Sequence, residues 1–112
     1  MTQMSNRTKM LIKCFITWKK KKMYKIKQTS KFRRDLKRIY RRGYNISLLK
    51  EVVRRLSIGE RLEEKHKDHN LSGSFSGFRE CHITPDWLLI YKYDGDTLVL
   101  VLSRTGTHSD LF

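Results

Sequence analysis

The sequence predicts an α+β domain: an N-terminal helical hairpin on one face of a mainly antiparallel sheet, in the order strand, helix, helix, then three strands. Three observations predict it. Two segments between residues 30 and 58 repeat apolar side chains at helical spacing, three later runs read as strands, and Asp94-Gly95 marks a tight turn between the last two.

Met23-Tyr-Lys-Ile-Lys-Gln alternates and reads as the first strand. Ser30 then offers an N-cap to a basic helix with Phe32, Leu36, Ile39 and Tyr40 on its apolar stripe, ended by Gly43. A second helix runs from about Ser47 to Ile58, with Leu48, Leu49, Val52, Val53 and Leu56 on one face and Gly59 closing it. Residues 59–77 are polar, with Gly73 and Gly77 bracketing Ser-Phe-Ser, and read as a long loop of the kind that carries function. The strands are Phe78 to Ile83, Trp87 to Tyr93 and Thr97 to Arg104. Trp87-Leu-Leu-Ile-Tyr is apolar on both faces and is therefore the central strand.

Charge narrows the function classes. The 112 residues carry 25 Lys+Arg against 11 Asp+Glu, a formal +14, which calls for a polyanionic partner such as RNA, DNA or an acidic protein. Residues 1–22 hold seven of those bases and no acid. They read as a basic extension, disordered or lying ahead of a true start at Met23, and residues 23–112 as the working domain. Lys19 to Lys22 stand where a secretory signal would need small residues. No apolar run approaches a membrane span. Two cysteines, Cys14 and Cys81, fit a reducing, cytoplasmic setting. On the helices, Arg33, Arg34, Lys37, Arg38, Arg41, Arg42, Arg54 and Arg55 fall mostly off the apolar stripes and suit a solvated face or a phosphate-tracking one.

Turn geometry then locates a site. A two-residue Asp94-Gly95 turn pairs Tyr93 with Asp96 and Trp87 with Leu102, and lays Pro85 beside Arg104. A turn through Ile83-Thr84-Pro85-Asp86 sets His82 nearly opposite Trp87. His82, Asp86, Trp87 and Arg104 thereby gather at one sheet end, and His108 folds over the same end. Two histidines around a phosphodiester can serve as base and acid, an Arg can stabilise the phosphorane, and an aromatic ring can hold a splayed base. His66-x-x-His69 is a weak metal signal without a Cys pair or further carboxylates. Cys81 and His82 are strand neighbours facing opposite ways, which argues against a nucleophile pair.

The stretches Lys67-Asp-His-Asn-Leu-Ser-Gly, Phe78-Arg-Glu-Cys-His-Ile-Thr-Pro-Asp-Trp-Leu-Leu-Ile-Tyr and Arg104-Thr-Gly-Thr-His-Ser-Asp-Leu-Phe resemble, in that order, the YafQ branch of the RelE/ParE toxins over residues 23–112. The resemblance implies a RelE-like fold and a metal-free, cofactor-free mRNA interferase of a bacterial type II toxin-antitoxin system. Such a toxin cuts mRNA in the A site of the 70S ribosome, leaving a 2′,3′-cyclic phosphate and a 5′-OH. It implies His108 as general acid, His82 or Asp86 as base and His69 as an assistant. Arg104 then lies on the phosphate and Phe112 positions the nucleobase, with Trp87 and Lys67 as further substrate-binding residues. It implies an acidic antitoxin partner, and operator DNA bound only by the toxin-antitoxin complex. Two other readings stand beside it: a ParE-like gyrase inhibitor that cleaves nothing, and a plain RNA- or ribosome-binding protein.

Overall fold

The computed structural model describes residues 23–112, so the basic extension of residues 1–22 lies outside the described residues. Strand β1 (Lys25–Gln28) leads into helix α1 (Ser30–Arg41) and helix α2 (Ile46–Ser57). The cap of α1 is Thr29 rather than Ser30: its extended backbone lets the hydroxyl accept from the Phe32 N–H at 3.0 Å. The same hydroxyl donates to the Ser103 carbonyl at 2.9 Å, tying the helix start to the far end of the chain. Gly43, at φ 82°, turns the chain out of α1. Asn45 caps α2, which therefore begins one residue before Ser47. Phe32, Asp35 and Ile39 are buried on α1, and Leu49, Val52 and Leu56 on α2. Tyr40 and Leu48, expected on the apolar stripes, are exposed.

Strands β2 (His69–Asn70), β3 (Arg79–Thr84), β4 (Trp87–Asp94) and β5 (Val99–Gly106) precede a four-residue helix, α3 (His108–Leu111). The sheet order is β1-β5-β4-β3-β2, with β4 in the middle as its apolar run requires. β1 lies parallel to β5, and the other pairs are antiparallel. The long loop is more structured than its composition indicates, holding β2 and two single 3-10 turns at residues 64–66 and 73–75. Cys81, Ile83, Trp87, Leu89 and Tyr91 pack with the helix residues in one core, while Leu88 and Ile90, on alternate positions of β4, are fully buried as well.

The β4–β5 register departs from the two-residue turn. Asp94 pairs with Val99, and residues 95–98 form a wider loop in which Leu98 takes φ 54°. The Asp94 carboxylate accepts from the N–H groups of Asp96 (3.2 Å) and Thr97 (3.4 Å), an Asx-type arrangement that holds the loop open. An irregularity between Ile90 and Tyr91 then leaves Arg104 opposite Ile90 and Gly106 opposite Leu88. The expected pairings of Trp87 with Leu102 and Pro85 with Arg104 do not form.

Candidate active site

Three histidine rings are fixed the same way. The Nδ1–H of His66 donates to the His82 carbonyl (2.6 Å), that of His69 to the Lys67 carbonyl (2.6 Å) and that of His82 to the Pro85 carbonyl (3.1 Å). A carbonyl only accepts, so each bond puts the proton on Nδ1 and leaves Nε2 for other business.

His82 sits one residue before an irregularity in β3: it pairs with Leu88, while Thr84 pairs with Trp87 around the exposed Pro85-Asp86 corner. Glu80, two positions earlier on β3, shares its face. Glu80 is buried, and its register partner on β2 is His69, whose Nε2 lies 3.3 Å from Glu80 Oε1. When protonated, that ring is a cation held by a buried carboxylate on one side and a carbonyl on the other. β2 is too short to hold itself. Arg79 fixes it through Asn70 (2.6 Å) and Asp68 (Nη2–Oδ2 3.2 Å), while the Tyr91 hydroxyl donates to Asp68 Oδ1 at 2.5 Å. Lys67, in the left-handed region at φ 45°, turns the chain into this strand and is exposed.

His108 arrives from the other side. Leu88 pairs with both His82 and Gly106, which puts Gly106 two strand spacings, about 10 Å, from His82, at the same sheet end. Thr107 caps α3 and His108 is its first residue, exposed and 5.3 Å ring to ring from Phe112. Phe112 is itself exposed and packs edge-on against Phe75, in the second 3-10 turn, at 5.5 Å. Asp110 accepts from the Thr107 N–H (2.9 Å) and takes both prongs of Arg42 (2.7 and 3.0 Å), which together hold its carboxyl well below the usual carboxylate range.

Of the residues expected at one sheet end, His82, Asp86 and His108 are there, with His69 on the neighbouring strand and Lys67 in the turn that leads into it. Trp87 is also at that end but faces inward, and Arg104 is placed elsewhere. Trp87 is buried at 1% exposure, stands edge-on to Tyr44 and donates its indole N–H to Thr105 Oγ1 (2.9 Å), so it packs the core and offers no face to a base. Arg104 lies one row deeper, with its guanidinium taken up by the buried Asp35 at 2.6 and 3.1 Å rather than turned to the end of the sheet. Asp35 also accepts from the Thr105 N–H at 3.1 Å.

The cationic helix face is smaller than the composition suggests. Arg42 is bonded to Asp110, Arg38 lies 3.7 Å from the same carboxylate, and Arg54 and Arg55 share Glu51, whose carboxyl they hold down at about 2. Arg33, Arg34, Lys37 and Arg41 stay exposed. Among the described residues, no three His, Cys, Asp or Glu side chains are grouped to hold a metal ion.

Sequence reasoning missed Glu80, Asp68, Arg79, Tyr91, Asp35 and the Arg42–Asp110 pair. Some signals were present. Asp35 is the only acid in α1 and falls on its apolar stripe, and Thr107-x-x-Asp110 has the spacing of a capping box.

Residues 24–112 match the family described as the bacterial toxin of the type II toxin-antitoxin system, YafQ. The chain is 36% identical over 88 residues to the mRNA interferase toxin YafQ of Escherichia coli K12, covering 78% of this chain and 94% of that protein. A metal-bound toxin from Helicobacter pylori superposes with a TM-score of 0.77 at 42% identity, over 80% of this chain and all of that one. The toxin in the E. coli DinJ-YafQ toxin-antitoxin complex gives 0.73 at 35% identity, over 81% and 99%. With the RelE-like sheet and helical hairpin in place, the chain belongs to the YafQ family of bacterial type II toxins.

Proposed function

We propose that this chain is an endoribonuclease that cuts mRNA in the ribosomal A site by acid/base transesterification through side chains alone. The observation that carries it is the His82 ring. With its Nδ1 proton given to the Pro85 carbonyl, Nε2 presents a lone pair at the sheet end that His108 shares. His82 Nε2 takes the proton of a ribose 2′-OH, and the 2′-oxygen attacks phosphorus. The phosphorus–O5′ bond breaks, and His108 gives its proton to the departing 5′-oxygen, leaving a 2′,3′-cyclic phosphate and a 5′-OH. His69, beside Glu80, and the Lys67 ammonium face the phosphorane, and Lys67 supplies positive charge to it. Asp86, exposed at the corner next to His82, assists the base, and Phe112 stacks on the nucleobase. The ribosome's part is to hold the message extended across this end.

The partner is an acidic antitoxin, as the E. coli relative is paired with DinJ. An apolar groove lined by Ile26, Phe32, Leu36, Ile46 and Val53 runs along the hairpin, and its charged lining, Lys50 and Arg54, is entirely basic. That suits an acidic segment with an apolar face. Operator DNA enters through that complex, and the working compartment is the cytoplasm, where translating ribosomes are.

The test is to add the protein to translating ribosomes, with and without a chelator, and map mRNA 5′ ends. New 5′-OH ends that persist in chelator and vanish in His108→Ala are expected. No new ends, or ends abolished by the chelator, would overturn the reading, and inhibited supercoiling in a gyrase assay would favour the ParE-like alternative.

A further inference from the structure

Helix α3 has four residues and buries none of them. A helix that short does not hold its own shape in water, so the place of His108 is set by interactions with the rest of the fold. Phe112, after the helix, leans on Phe75 but is 59% exposed, which makes it a weak anchor. The strong interactions all converge on Asp110. Its carboxylate closes a capping box with Thr107 and receives the Arg42 guanidinium in a two-pronged bond across 68 residues of sequence, with Arg38 at 3.7 Å behind it. Two parallel N–H···O bonds fix orientation as well as distance, which a single point charge does not.

Both ends of this arm are firm. Arg42 is the C-cap of α1, its backbone N–H bonded to the Arg38 carbonyl at 3.1 Å, and α1 is seated in the core through Phe32 and Ile39. At the other end Gly106, at φ 154°, lets the chain pass close under Asp110: a Cβ there would meet Asp110 Cβ and Oδ2 at 3.0 Å.

We propose that Arg42 is a positioning residue: acting through Asp110, it sets the attitude of the C-terminal turn and so aims the His108 ring at the sheet end occupied by His82. The proposal rests on the reading of His108 as proton donor. Arg42 touches no reacting atom. Its exposed place on a basic helix invites assignment as a phosphate ligand, and the two roles separate in kinetics. Removing a group that grips phosphate in the ground state raises KM, whereas misaiming the acid lowers the maximal rate.

The experiment compares Arg42→Ala, Arg42→Lys and Asp110→Asn with the parent full-length chain. Cleavage is measured on programmed ribosomes under single-turnover conditions, and the His108 ring is followed by NMR in the free protein. The expected result is a maximal rate roughly 10- to 100-fold lower in Arg42→Ala and Asp110→Asn with half-saturation unchanged. Arg42→Lys, which keeps the charge but not the fork, should fall between. The His108 ring resonances should move toward those of an unconstrained histidine in both low-rate variants. A raised KM at an unchanged maximal rate, or an unmoved His108 ring, would overturn the proposal. If His108→Ala still cleaves at the parent rate, the acid assignment fails, while the ring resonances alone still decide whether Arg42 places that residue.

Discussion

The hydroxyl of Tyr91, on the buried central strand, donates to Asp68, next to His69 in the chain, at 2.5 Å, and Arg79 closes the triangle from β3. A core residue thus holds the two-residue strand that carries His69, a candidate site histidine. Burial first, and then the Asp68 carboxylate, push the Tyr91 phenol well above its ordinary value, so it remains a donor throughout the usable pH range. Tyr91→Phe should cost about 1.5 to 3 kcal/mol, because it removes the bond given to the charged Asp68 and the one accepted from Arg79 Nε at 3.3 Å. It should also lower cleavage more than that small loss of folded protein accounts for. Urea unfolding beside the ribosome assay checks both, and unchanged activity would mean that β2 is held without Tyr91.

Asp35 should be the most costly carboxylate to remove. It is 2% exposed and gathers Arg104 and the Thr105 N–H, so Asp35→Ala strands a partly buried guanidinium. Breaking such a pair on one side costs about 3 to 5 kcal/mol. The double variant Asp35→Leu/Arg104→Met should recover much of that loss in a denaturant titration. Equal destabilisation by the single and double variants would show that the pair's charge is not what matters.

Asp110 gives a pH signature. Hydrogen bonds from Arg42 first, and then from Thr107, lower its native pKa, so its contribution is complete above the unfolded carboxylate value near about 4 and drains away as pH falls toward the native value. The gap in Tm between the parent chain and Asp110→Asn should be steady from about pH 7 to 5 and narrow below about 4. A gap that widened in acid would contradict the assignment.

Cys81 is fully buried under the helices, and burial pushes its thiol well above the ordinary range. In a Cys14→Ser background, which removes the other thiol, Cys81 should resist iodoacetamide at pH 8 and react only when the fold opens, at least about a thousandfold more slowly than in denaturant. Rapid labelling of the native protein would show that β3 opens on its own.

How far the sequence could be read depended on whether a residue's role was local. The two helices, the central place of β4 and the Pro85-Asp86 corner follow from spacing and turn chemistry among neighbours, and each lies where that chemistry puts it. Arg104 was misplaced because a cross-strand position depends on counting through a turn, whereas Trp87 stands at the expected end with its side chain turned into the core. Asp94 widens that turn with its own side chain, and each added loop residue moves every pairing beyond it. Arg42 with Asp110, Asp35 with Arg104 and Tyr91 with Asp68 span 68, 69 and 23 positions, beyond any local pattern. The motif histidines were legible through resemblance, but the carbonyls that fix their tautomers were not.

The parallel pairing of β1 with β5 has a consequence for how the toxin comes into being. Lys25 pairs with Val99, so the first strand among the described residues has its sheet neighbour far later in the chain, and the helical hairpin waits for the surface it covers. His108 and Phe112 follow later still. Non-local closure of this kind is slow and comes at the end of folding. A nascent chain that stops short of β5 therefore lacks the sheet that the helices cover, and the strands and turn that carry His82 and His108 come together only once β5 is made.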